Sequence, residues 1–239
     1  MAGFATSEHT YKQFDAELES IRSQVLQMGG LVESQIQRAL EGFANGDREL
    51  LDQVEIDDHR VNALEVAIDE DCAHIIARRQ PAAIDLRMVM AVIKTITDLE
   101  RIGDEAEKIA RNAKLIHESD RLHAVRFAEI RHAADLATDM LRDALDAFAR
   151  LDVQTAFEVV KQDEQVDSEF RSILRQLITF MMEDPRTIST SLEILFIAKA
   201  IERIGDHAKN MAEYVIYLVK GKDVRHVSIE EIEREAMNP

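Results

Sequence analysis

The segment DLERIGDEAEKIA beginning at Asp98 returns as AIERIGDHAKNMA at Ala200, 102 positions on. Two more pairs keep step with it at a spacing of 105: ALEGFANGD at Ala39 with ALDAFARLD at Ala144, and VEIDDHRVN at Val54 with VVKQDEQVD at Val159. A chain that repeats itself this way is two copies of one supersecondary unit, whose apolar faces are buried within each copy or against its twin. The small change of offset falls before Pro81 and Pro185, in turns where a deletion disturbs little packing. The two copies span about 1–118 and 119–221, and a charged tail, 222–239, follows.

Each copy reads as three long helices. Only Pro81 and Pro185 interrupt the interior, and Asp184 before Pro185 reads as an N-cap ahead of a first helical position. Asn45, Gly46 and Asp47 read as a stop and restart, as do Ser119 with Asp120 and Leu151 with Asp152; Gly221 ends the last helix. The cuts give helices over about 8–45, 47–79, 82–117, 121–150, 152–182 and 185–220. Val92, Ile96, Leu99, Gly103, Ala106, Ala110 and Ala113 recur at helical spacing, as do Val54, Val61, Leu64, Ile68 and Ile75. Long helices joined by short turns pack antiparallel, so the expected fold is all-α: two tandem three-helix bundles.

Composition agrees with helix and closes other routes. Apolar residues make up 46 %, enough for a sizeable core, while 8 Gly, 3 Pro, no Trp and 5 % aromatics are poor material for a large sheet protein. A net charge of −17 opposes direct binding to nucleic acid. The lone cysteine, Cys72, excludes an internal disulfide or a zinc ribbon and reads as a small buried hydrophobe. The longest apolar run, Met88 to Ile93, is far short of a membrane span, and the N-terminal residues lack the apolar stretch of a secretion signal. A cytoplasmic protein is expected.

The repeated segments place carboxylates four apart on one helix face: Glu100 with Asp104, Glu202 with Asp206, and Asp163 with Asp167; in the remaining pair Asp58 is followed by Asn62. Like charges at this spacing destabilise a helix by about 0.2–0.5 kcal/mol, so a penalty repeated in both copies points to a compensating cation. Reflection through the turn at Pro81 sets the pair at 58 and 62 beside the pair at 100 and 104. Reflection through the turn at Asp184 and Pro185 does the same for the second copy. A third helix reflects Glu33 toward the first cluster, and Asp135 and Asp139 toward the second. Gly103 and Gly205 sit inside helices at a cost of about 1 kcal/mol against Ala, which close helix approach would offset. All-oxygen ligation favours a hard ion, Mg²⁺, Mn²⁺ or iron, divalent or trivalent. The competing expectation is that the acids form surface ion pairs with Arg101, Arg203 and Lys209. His59 and His207 are expected on solvated faces, and Arg87 and Arg101 solvated or paired. No Glu-x-x-His pair accompanies these acids, which argues against oxidase chemistry of the di-iron bundle kind. No phosphate-binding glycine loop, nucleophile elbow or zinc-protease motif is present, so no enzymatic activity is expected.

The duplicated Glu-Arg-Ile-Gly-Asp run resembles the PhoU family, as do VNALEVAIDEDC from Val61, RMVMAVIKTITDLERIGDEAEKI from Arg87, RQLITFMMEDPRTI from Arg175 and YLVKGKDVRH from Tyr217. The resemblance runs from about Phe14 to His226. It implies a cytoplasmic, non-enzymatic negative regulator of the phosphate-starvation response and of phosphate uptake. Such a protein relays the state of a phosphate ABC transporter, through its PstB-like ATPase subunit, to a PhoR-like sensor histidine kinase. It also implies a homodimer that meets the membrane only through these partners. By the same resemblance the metal ligands are Asp58, Glu100 and Asp104 in the first copy, and Asp163, Asp167, Glu202 and Asp206 in the second. Asn62 departs from the acidic pattern, and on that ground the first site is expected to bind more weakly or to hold fewer ions. The alternative reading is a metal-storage or metal-dependent hydrolytic bundle.

Overall fold

The computed structural model describes residues 12–118 and 127–237. Among the described residues there are seven α-helices and no strand: α1 (Lys12–Asn45), α2 (Arg48–Arg79), α3 (Ala83–Glu118), α4 (Phe127–Arg150), α5 (Val153–Glu183), α6 (Ile188–Lys220) and α7 (Ile229–Met237). Six of them match the helices expected from the sequence. The proposed restart at Ser119 and Asp120, and the first residues proposed for the first and fourth helices, lie outside the described residues. α7 is an addition, since the tail's charge gave no reason to expect an ordered helix there.

The turns follow from local chemistry. Asp47 and Asp152 take extended backbone geometry, and each side chain accepts hydrogen bonds from two amides of the first turn it caps. Gly46 and Leu151, equivalent in the two copies, precede these caps at φ 68° and 54°. The second copy therefore holds a branched residue in the left-handed region, which Gly occupies without strain. Asp184 caps a short 3₁₀ turn, Pro185–Thr187, that leads into α6. Gly221, at φ 72°, ends α6 with its amide on the Tyr217 carbonyl.

Helices α1, α2 and α3 pack against one another, and so do α4, α5 and α6. The two trios join along a broad interface between α3 and α6, supported by α1 against α4. One continuous apolar core results, and the Val92, Ile96, Leu99, Ala106, Ala110 and Ala113 stripe lies fully inside it. Cys72 is buried in that core, where burial pushes its thiol up to about 12. At the far end of α6 the chain folds back, and buried Val224 and Ile232 pin α7 chiefly to α5. No helix among the described residues is long and apolar enough to cross a membrane.

Candidate metal centre

In the first copy the reflected register is realised. A Cβ placed on Gly103 would lie 3.4 Å from Asp58 Oδ1, 3.5 Å from Val61 Cγ1 and 3.2 Å from Gln35 Oε1, so α3 meets both α2 and α1 closely at this glycine. The missing side chain leaves room for two side-chain oxygens beside one valine methyl. One carboxylate oxygen from each of Asp58, Asp104 and Glu107 comes within 4.8 Å of the other two. Glu100, expected as a ligand, is not one of that trio.

The electrostatics of this cluster are strained. Burial, then the charge of Asp104, pushes the Asp58 carboxyl above its ordinary value. Glu100 is raised by burial and by Asp104, Glu65 and Asp58 in turn. Glu107 is raised by burial, although Arg111 donates to its Oε2 at 2.6 Å and opposes the shift. Asn62 Nδ2 donates to Asp58 Oδ2 at 3.0 Å, which leaves Asp58 Oδ1 buried without a partner. Gln35 Oε1 and Asn62 Oδ1 are buried and unpartnered too. Such oxygens carry a desolvation cost of about 1–3 kcal/mol each. An orphaned oxygen on Asp58 itself and the orphaned Gln35 amide oxygen at the same glycine fit a hard cation, which would be held by Asp58, Asp104 and Glu107 with Gln35 beside them.

The second copy is arranged differently. At Gly205 the three atoms nearest to a Cβ would all belong to Val166, with Cγ1 closest at 3.3 Å. Lys209 Nζ sits 2.6 Å from Asp163 Oδ2, Arg171 donates to Asp167 Oδ2 at 2.7 Å, and Lys199 pairs with Glu202. Burial alone would disfavour the Lys209 ammonium, but its hydrogen bond to Asp163 and the charges of Asp163, Glu213 and Asp206 outweigh that and raise its pKa. The Asp206 carboxyl is raised by desolvation and then by Glu202 and Asp163. Three of the four acids expected as ligands here are thus ion-paired, as the competing expectation had it for Lys209. Arg203 instead pairs with Glu105 of α3 at 3.1 Å. This copy opens into a cleft of about 660 Å³ between α5, α6 and the C-terminal segment.

Other expectations are corrected. Glu33 and Asp139 reach neither cluster: Arg142 binds Glu33 at 2.6 Å and Asp139 at 3.1 Å, tying α1 to α4. Asp135 is exposed. Gln35, not Glu33, is the contribution of α1. His207 is buried rather than solvated, with Nδ1 2.7 Å from Asp98 Oδ1. Arg87 keeps to its expectation, since it has a partner: it donates to the Leu218 carbonyl at 3.2 Å near the end of α6. Glu107 could have been found from the sequence, since it lies three residues after Asp104 on the same face. Gln35 gave no such signal.

Fold and site define a class: a duplicated α-helical protein in which acids from neighbouring helices meet at matched heights. A PhoU domain model matches residues 25–113 and again 130–215, and the chain belongs to the PhoU family. It is 48 % identical over 230 residues to a phosphate-specific transport system accessory protein PhoU homolog of Pseudomonas putida, covering 96 % of this chain and 89 % of that one. It is 47 % identical over 228 residues to the phosphate-specific transport system accessory protein PhoU of Escherichia coli, covering 95 % and 94 %. Among solved structures, PhoU from Pseudomonas aeruginosa superposes with a TM-score of 0.85 at 48 % identity, over 88 % of this chain and all of that one. The phosphate transport system regulatory protein PhoU from Streptococcus pneumoniae gives 0.82 at 30 % identity, over 89 % and 99 %.

Proposed function

We propose that this protein is a regulatory accessory of a phosphate-specific transport system. The observation that carries the reading is similarity of 47 % over 95 % of the chain to a relative named as an accessory protein of a phosphate-specific transport system, with a structural relative named as a regulatory protein of such a system. In this reading the protein works in the cytoplasm as a homodimer and without enzymatic turnover. It docks on the PstB-like ATPase of the transporter and on a PhoR-like sensor kinase, restraining uptake and holding the starvation response off when phosphate is plentiful. It meets the membrane only through these partners, and its net charge of −17 keeps it from nucleic acid.

The metal has a defined place in this scheme. Asp58 on α2 and Asp104 and Glu107 on α3 would hold the ion, divalent or trivalent, and the ion would offset the crowded negative charge that Arg111, paired with Glu107, offsets only in part. Its effect is structural: it clamps two helices whose outer faces remain free to dock.

Deletion tests the reading. A strain lacking the gene is expected to express phosphate-starvation genes in rich medium and to take up phosphate without restraint, both reversed by the wild-type gene. Full repression in the deletion strain in rich phosphate overturns it. Phosphoester turnover by the purified protein, or storage of many ions per chain, would favour the hydrolytic or storage bundle instead.

A further inference from the structure

We infer that the two copies are unequal toward metal: the first takes a hard cation on Asp58, Asp104 and Glu107 with Gln35, while the second carries its own cation, the Lys209 ammonium. The inference rests on the reading that the acidic motifs hold metal, and it deepens that reading by assigning the ion to one half.

Equivalent positions carry different groups in the two copies. The repeat offset that aligns Asp104 with Asp206 aligns Glu107 with Lys209. The offset that aligns Ala39 with Ala144 aligns Gln35 with Met140. Both differences act in the same direction. Where the first copy supplies a third carboxylate, paired at Oε2 with Arg111 at 2.6 Å, the second puts an ammonium at that very position, 2.6 Å from Asp163. Where the first copy points a fully buried, unpartnered amide oxygen at the glycine, the second has a buried methionine, and the atoms nearest its glycine are those of Val166. Asp58, 7 % exposed, keeps an orphaned oxygen that the ion would satisfy. An ion entering the second site would have to displace Lys209 and then bind beside a positive charge. This order reverses the one expected from Asn62 alone. Asn62 removes one charge from the first site, but Glu107 restores it, and the Asn62 amide oxygen is itself unpartnered.

The test is calorimetric titration of the chelator-stripped full-length chain with MnCl₂. Wild type is expected to bind about one Mn²⁺ per chain with oxygen-only ligation. Glu107→Gln, and Gln35→Met, which copies the second half, should each weaken binding at least about tenfold. Lys209→Glu, which copies the first half, should raise the ratio to about two. Lys209→Gln provides the same release without an added charge and is expected to raise the ratio as well. Circular dichroism in chelator checks that each variant folds. Two equal sites in wild type, an unchanged affinity in Glu107→Gln, or a ratio still at one in both folded Lys209 variants overturns the inference while leaving metal binding intact. Absence of binding in wild type and every folded variant removes the metal reading along with it. Neither result bears on the deletion phenotype, so the regulatory reading is judged separately.

Discussion

His207 of α6 and Asp98 of α3 form a buried pair, Nδ1 to Oδ1 at 2.7 Å, in the seam where the two bundles meet. Asn210 Nδ2 adds a second donor to the same oxygen at 3.3 Å. Asp98 is 2 % exposed, so its hydrogen bonds come from protein groups rather than from water. His207 neighbours Asp206 in sequence, which links the seam to the acidic face of the second copy.

Removing His207 would leave the Asp98 carboxylate short of its main donor. His207→Ala is expected to destabilise the protein by about 2–3 kcal/mol, read as a lower urea midpoint. An unchanged midpoint would show that the seam does not depend on this pair.

Stability should also report on Glu213. Burial pushes its carboxyl up to about 7, against 4.5 for the unperturbed group. Between these values the folded state binds more protons than the unfolded one, so stability is greatest at the acid end and falls as pH rises toward 7. Glu213→Gln cannot ionise. It should flatten that slope and be about 1–3 kcal/mol more stable than wild type at mildly alkaline pH. Parallel pH profiles for the two proteins would contradict the assignment.

The paired glycines separate packing from ligation. Gly103→Ala places a methyl against Gln35 Oε1 and Asp58 Oδ1, at 3.2 and 3.4 Å. The flexible Gln35 side chain can give way, and helix propensity returns about 1 kcal/mol, so stability without metal should change little while Mn²⁺ affinity falls. Gly205→Ala meets Val166 first and should leave Mn²⁺ affinity unchanged. Equal effects on affinity would mean that the oxygens at Gly103 do not serve the ion.

α7 is held by few apolar anchors. Ile232 is 3 % exposed, and Ile232→Ala should cost about 2–4 kcal/mol if α7 folds together with the core. Faster proteolysis confined to the C-terminal segment, with the thermal midpoint unchanged, would show instead that the segment opens by itself.

Most of the architecture was legible because repeats, caps and apolar spacing are local signals. Asp47, Asp152 and Gly221 mark helix ends by their own chemistry, and the turn at Pro81 alone sets Asp58 beside Gly103 and Asp104. Legibility stopped where a side chain's partner lies on a distant helix. Nothing near His207 in sequence announces Asp98, more than a hundred residues away. Gln35 could not be told from an ordinary surface amide, because its burial depends on how α1 tilts across α2 and α3. Reflection brought Glu33 to the right height, but not to the right face.

The central claim, that α2 and α3 bring Asp58, Asp104 and Glu107 together to hold an ion, is tested most directly by thermal unfolding of wild type and an Asp58→Asn/Asp104→Asn variant in chelator and in MnCl₂. At Mn²⁺ about a hundredfold above its Kd, the bound ion adds about 2.7 kcal/mol, and the wild-type midpoint should rise by about 5–10 °C while the variant's does not move. A wild-type midpoint indifferent to Mn²⁺, or an equal rise in the variant, would contradict it.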